Sequence, residues 1–278
     1  GSFHSFTLDS DNVVLGSGAG ASMEAGADKN VLIGVNAGDV LSTGDDNVVI
    51  GTDSGGALST GIDNVIIGKE AGRAGNMSDS VCIGNNAGDA NATNQVIAIG
   101  DYAGRYGGAG DVSIGYTAGG FDGGGATTGH NVSIGNSAGY TLGSGALRNV
   151  IVGWQSGYKI TSGDYNTTIG PQAGANIVTG NRNIVIGYSA SLASDGSDQL
   201  FIGSASLATI SASLATGDII FPSTASADYF VGDGSQLTNL PASDPFPFTG
   251  DAQITGSLVI SGSGISSPFY PAALKVDG

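Results

Sequence analysis

Asn64-Val65-Ile66-Ile67-Gly68-Lys69-Glu70-Ala71-Gly72 is the stretch that decides the fold, because it recurs with small changes twelve times along the chain. The first glycine of each copy is Gly16, Gly34, Gly51, Gly68, Gly84, Gly100, Gly115, Gly135, Gly153, Gly170, Gly187 and Gly203. Successive copies are 15 to 20 residues apart, with a mean of 17. Paired-helix repeats need about 33–47 residues, so a period this short points to stacked β-coils.

Each column of the repeat has a physical reading. The residue before the glycine is always aliphatic, from Leu15 and Ile33 to Ile186 and Ile202, and two places earlier stand residues such as Val13, Val31, Val48 and Ile184. Spacing of two with β-branched residues predicts a short strand that turns one face to an interior. By alternation the residue between them points outward. That column holds Val14, Leu32, Val49, Ile66, Cys82, Ala98, Ser113, Ser133, Ile151, Thr168, Val185 and Phe201, with no charge among them. An uncharged outer column predicts that sister copies cover it. The expected trimer interface is Val14, Leu32, Val49, Ile66, Cys82, Ile151, Val185 and Phe201.

Three residues after the glycine stands Ala or Ser, and four after stands Gly in ten of the twelve copies, with Ser191 and Leu207 as the late exceptions. Small residues at fixed positions suit a tight corner. The variable stretch that follows, such as Leu58-Ser-Thr-Gly61-Ile62-Asp63, is expected to hold a second short strand and a loop. At about 4.8 Å per stacked strand, twelve coils span roughly 55 Å.

The whole chain has 278 residues, 50 of them Gly, with 12% charged and 40% hydrophobic residues. The glycines have no three-residue period, which excludes collagen, and the apolar content is too high for a disordered linker. A formal charge of −16 makes nucleic acid and anionic membranes poor partners. No apolar run is long enough for a membrane helix. A lone cysteine, Cys82, excludes an intrachain disulfide framework.

The reading divides the chain into an N-terminal segment (1–10), a repeat domain (11–208), a connector (209–243) and a C-terminal short β segment (244–278). Pro241, Pro245 and Pro247 mark the connector's end as rigid. Lys275-Val-Asp-Gly278 carries no evident cap, so the natural protein is expected to continue.

The Asn-Val-x-Ile-Gly-x-x-Ala-Gly unit resembles the head repeats of trimeric autotransporter adhesins, the YadA-like heads, over about residues 11–208. That resemblance implies an all-β, left-handed parallel β-roll or β-solenoid, here of about twelve coils of ~17 residues, wound as a homotrimer. The usual unit of those heads is shorter than the present one. Phe230-Val-Gly-Asp-Gly-Ser-Gln-Leu-Thr-Asn-Leu-Pro241 and Phe246-Pro-Phe-Thr-Gly-Asp-Ala-Gln-Ile-Thr-Gly-Ser-Leu258 are similar to stretches of phage tail-fibre and virion-appendage proteins. Together these resemblances imply a non-catalytic fibre segment of a virion, with itself, other fibre proteins and a host-surface glycan or protein as partners. A bacterial surface adhesin head is the alternative, with an extracellular location. A β-helix acyltransferase is a third, although its hexapeptide would occur three times per coil rather than once.

No residue pattern marks a catalytic, cofactor or metal site. His4 and His130 are far apart in sequence, and Cys82 fits its column as a packed thiol. Asp9, Asp11, Asp45, Asp46, Asp63 and Asp164 read as solvated turn aspartates rather than calcium ligands. The binding hint is aromatic: Tyr102, Tyr106, Tyr116, Tyr140, Trp154, Tyr158 and Tyr188 lie in turn or loop columns of the later repeats. Tyr140 and Tyr158 share one column and are expected to stack. Such a flank offers contact area with a polar handle to sugar rings or protein, and packing between protomers is the competing use.

Overall fold

In the computed structural model, residues 11–90, 94–120, 129–192 and 195–222 are described. The N-terminal segment, most of the connector and the C-terminal β segment therefore lie outside the described residues.

The repeat folds as one strand per coil. Eleven three-residue strands follow in chain order: β1 (Val13–Leu15), β2 (Val31–Ile33), β3 (Val48–Ile50), β4 (Val65–Ile67), β5 (Val81–Ile83), β6 (Ile97–Ile99), β7 (Val112–Ile114), β8 (Val132–Ile134), β9 (Val150–Val152), β10 (Thr167–Ile169) and β11 (Ile184–Ile186). Three longer or terminal strands close the sheet: β12 (Gln199–Ser204), β13 (Leu207–Ser213) and β14 (Ile219–Ile220). β1 to β12 pair in parallel, each with the next, and equivalent repeat positions sit opposite one another, as in Val65↔Val81 and Ile66↔Cys82. The chain is thus an all-β parallel solenoid of ~17-residue coils. No second strand forms in the variable stretch of a coil among the described residues. Its turns stack instead through single backbone bonds such as Ser42 N–H to Ser59 O at 2.8 Å.

Glycine makes the coil possible at the end of each strand. The glycines from Gly16 to Gly187 have φ between +123° and +142°. A Cβ at Gly153 would lie 2.5 Å from the carbonyl oxygen of Gly170, and at Gly100 it would lie 2.7 Å from that of Gly115. Coil stacks on coil at this column only because it has no side chain.

The strand faces are the reverse of the sequence expectation. The middle residue of each strand points inward: Leu32, Val49, Ile66, Cys82, Ile151 and Val185 are all 0% exposed, and Phe201 is buried. Only Val14, in the first coil, is half-buried. These eight residues, expected to form a trimer interface, are the chain's own core. The cause is the narrowness of the coil. Its interior admits one column from the strand, faced by the small residues after the glycine (Ala37, Ala71, Ala87, Ala173) and by a second apolar column (Leu41, Leu58, Met77, Leu142, Ile160, Ile177), all essentially fully buried.

A third buried column is polar. Asn12, Asn30, Asn47, Asn64, Asn131, Asn149, Asn166 and Asn183 stand four residues before their glycines and are at most 5% exposed. Asn149 is typical. Its Nδ2 donates to Asn131 Oδ1 at 3.0 Å and to Gly163 O at 2.8 Å. Its Oδ1 accepts the backbone N–H of Asn166 at 2.9 Å and Asn166 Nδ2 at 3.1 Å. Every amide hydrogen and both oxygen lone pairs are used, so burial of the amide carries no unpaired group.

The parallel stack ends where the corner glycine is lost. In ten coils the fourth residue after the strand glycine, from Gly20 to Gly174, turns the chain at φ between +53° and +71°. Ser191 and then Leu207 occupy that position in the last two copies. Past an irregularity between Ile202 and Gly203 the chain doubles back, and β13 pairs antiparallel with β12 and then with β14. Ordered strand therefore continues beyond residue 208 into what the sequence reads as connector. Between β11 and β12, burial pulls the Asp195 carboxyl upward. The N–H groups of Val178, Thr179 and Gly180 outweigh that and hold it below the usual carboxylate range.

Candidate functional surfaces

The outward columns are the pair that flank each buried residue. Val31 and Ile33, Val48 and Ile50, and Val65 and Ile67 are half-buried; Leu15, Ile97, Ile134, Val150 and Ile169 are 37–45% exposed. Across twelve coils the two columns comprise twenty-four positions, of which twenty-three are aliphatic, the exception being Thr167. With six of these side chains exposed and eighteen half-buried, the two columns leave on the order of 1,000 Å² of apolar surface in water, against roughly 300–600 Å² for the largest patch on a typical monomer. All described strands belong to one sheet, so no second sheet covers this face among the described residues.

The next column outward is mixed. The residue after the glycine is Ser17, Val35, Thr52, Lys69, Asn85, Asp101, Tyr116, Asn136, Trp154, Pro171 or Tyr188. Tyr116, Trp154 and Tyr188 are 54%, 48% and 64% exposed and occupy every second coil of this single column. Their shared register was available from the numbering and not drawn from it.

Tyr140 and Tyr158 do stack, with centroids 4.9 Å apart and rings parallel at 0°. Both are half-buried, as are Tyr102 and Tyr106. Tyr106 lies beside Arg105, whose guanidinium carbon is 5.4 Å from the ring centre. The sequence reading omits Tyr165, which is exposed, accepts a 2.7 Å hydrogen bond at its hydroxyl from Arg148 and stacks under the same guanidinium. The seven predicted aromatics thus divide into an exposed column, a stacked pair, and two separate half-buried rings.

Beside Tyr158 lies a cavity of about 400 Å³, lined by Gln155, Lys159, Gln172, Asn176 and Ser189 among others. Gln172 Nε2 donates to Gln155 Oε1 at 3.3 Å, and Ser189 Oγ donates to Gln172 Oε1 at 3.0 Å, so the polar wall runs from coil to coil. Asn176 donates to Leu192 O at 2.7 Å, while its covered Oδ1 has no hydrogen-bond partner among the described residues.

The titratable candidates stand apart from these surfaces. Cys82 is walled in beside Met77, and burial pushes its thiol up to about 12, which keeps it protonated and unreactive. His130 is exposed and sits at φ +63° just before β8. Asp45 and Asp164 accept backbone N–H groups of Asp28 and Leu147, both at 2.8 Å, and so act as braces between coils. No cluster of three His, Cys, Asp or Glu side chains that could hold a metal occurs among the described residues. No helix of the described residues is long and apolar enough to cross a membrane. Comparison with protein-family models, curated proteins and solved structures gives no match to this chain.

Proposed function

We propose that this chain is a non-catalytic structural segment of a fibre, a phage tail fibre or virion appendage, and that it works as a homotrimer packed through the outward columns of its sheet. The observation that carries the assembly is the twenty-four-position apolar face of β1–β12. A soluble partner of unrelated fold would have to match a row of Val and Ile that repeats at every coil step. A second and third copy of the same chain match it by construction, since their own rows have the same step. On the order of 1,000 Å² per chain meets the roughly 800 Å² per partner of a stable protein interface. The chain's net charge of −16 is kept off this face, so copies approach without placing like charges in contact.

The virion assignment rests on the tail-fibre-like tract at residues 230–258 and on the roll resemblance. The bacterial adhesin head remains its rival and shares the same assembly. In either setting the flank that carries the Tyr140–Tyr158 stack, which is outside the two apolar strand columns, is offered to a surface glycan or protein.

Paired substitutions test the interface. Ile67→Glu changes an outward residue and should leave the coil folded while reducing the sedimenting mass toward one chain. Ile66→Glu, one residue earlier, puts a charge into the core and should unfold the stack. An Ile67→Glu chain that sediments unchanged from the parent overturns the interface.

A further inference from the structure

We propose that the cavity beside Tyr158 is a saccharide-binding site that takes a sugar ring on the free face of the tyrosine, and that it favours a sugar bearing a carboxylate. This deepens the reading of the tyrosine flank and rests on it, but not on the trimer.

The stack of aromatic rings stops at a defined place. Tyr140 and Tyr158 occupy the same position, five residues after the glycine, in successive coils, and their rings are parallel at 4.9 Å. The same position of the next coil is Ala175. One coil step is about 4.8 Å, which matches the 4.9 Å between the centroids of the two tyrosine rings. Where a third tyrosine would continue the column, the small side chain of Ala175 leaves a slot, and the 400 Å³ cavity lined by both Tyr158 and Ala175 occupies that place.

The walls of the slot fit a polyhydroxylated ring better than an aromatic one. Gln155, Gln172 and Asn176 present planar amides, and Ser189 a hydroxyl, around a single aromatic face. An apolar floor with a few polar groups converging on it is the usual composition of a small-ligand site. The C–H face of a pyranose would lie on Tyr158, and its hydroxyls would meet amide oxygens and nitrogens that serve as both acceptors and donors.

Charge selects within that class. Of the seven lysines and arginines among the described residues, Lys29, Lys69, Arg73, Arg105 and Arg182 pair with carboxylates, and Arg148 holds Tyr165. Lys159 alone has no ion pair, hydrogen bond or ring contact among the described residues, and it stands exposed at the cavity. On a chain of net charge −16, an unpaired ammonium beside a neutral polar slot marks where a carboxylate would be accepted. None of the outward strand columns contributes to the cavity, so a trimer built on those columns leaves it open.

The test uses the full chain on an array of oligosaccharides, neutral and uronate- or sialate-bearing, with sedimentation run on the same samples. The parent chain should retain carboxylated oligosaccharides. Ala175→Tyr, which extends the tyrosine column into the slot, and Tyr158→Ala, which removes its floor, should each weaken retention about tenfold with the fold and the sedimenting mass unchanged. Lys159→Met should bring acidic and neutral saccharides to parity, a change of about threefold. Retention of no saccharide, a preference for neutral ones, or an Ala175→Tyr chain that binds as the parent does overturns the site. A chain that binds saccharide yet sediments as a single copy separates the failure of the assembly from that of the site.

Discussion

The coils around β9–β11 and those around β6–β8 share one backbone plan and differ in what fills it. In the first region Asn131, Asn149, Asn166 and Asn183 form an unbroken ladder, and Ile151, Ile160, Ile177 and Val185 fill the coils beneath it. Ahead of β5, β6 and β7 the ladder positions are instead Ser80, Val96 and Asp111, and the asparagines resume with Asn131 ahead of β8. Val96 has no side-chain acceptor, and the N–H of Asp111 turns to Gly108 O at 3.2 Å. The strand core there is Ala98, Ser113 and Ser133, and Gly107 stands at the position that Leu58, Leu142 and Ile160 fill in other coils. The apolar core accordingly separates into two clusters, one ending at Ala103 and the other beginning at Ala138. Backbone stacking and positive-φ glycines are common to both regions, so the coil path needs only those. The asparagines and large aliphatics determine how firmly each coil is held.

Removing an ladder rung should have the largest effect. Asn149→Ala leaves the Asn166 N–H and the Gly163 carbonyl without their partner and removes one of the two bonds at Asn166 Nδ2 and at Asn131 Oδ1, and should cost about 3 kcal/mol in denaturant unfolding. Ser80→Ala, which frees only the Val96 N–H and the Ser78 carbonyl contact, should cost about 1 kcal/mol. Equal losses at the two positions would erase the distinction between the regions.

Native-state hydrogen exchange sharpens the same contrast without mutation. Amides of β6–β8 should exchange roughly tenfold faster than those of β9–β11, because fewer buried contacts resist their opening. The smallest effect expected is at Ser133, whose buried Oγ has no hydrogen-bond partner among the described residues. Ser133→Ala should be neutral or stabilise by up to about 1 kcal/mol, and a clear loss of stability would mean that the hydroxyl is bonded in solution.

The period, the strand positions and the place where the array ends were all legible in the sequence. Columns of Val-x-Ile before a glycine coincide with β1–β11, and the loss of the corner glycine at Ser191 and Leu207 precedes the antiparallel turn-back. The face of the strand was not legible from alternation, because a three-residue strand such as Val65-Ile66-Ile67 is aliphatic on both sides and a period of two cannot say which is inside. The deciding signal lay one residue earlier. Asn64 has the same parity as Ile66, and a recurring uncharged amide at a fixed strand position is what a buried ladder requires. The variety of the middle column, from Phe201 to Ala98, also suits an interior whose width changes from coil to coil, whereas the outward columns are Val or Ile at all but Leu15, Thr167 and Leu200. The tyrosine stack was legible because Tyr140 and Tyr158 share a column. The cavity beside it was not, since Gln155, Gln172, Lys159 and Ser189 come from three coils and meet only when the coils stack.

Inverting the faces moves the proposed interface from the middle column to its two neighbours and enlarges it, because two apolar columns rather than one face water. Sedimentation equilibrium of the unmodified chain tests this most directly. The account predicts a species of three times the 27.2 kDa chain mass that persists on dilution into the low micromolar range. A single 27.2 kDa species at all concentrations, with the Val and Ile columns left in water, would contradict it.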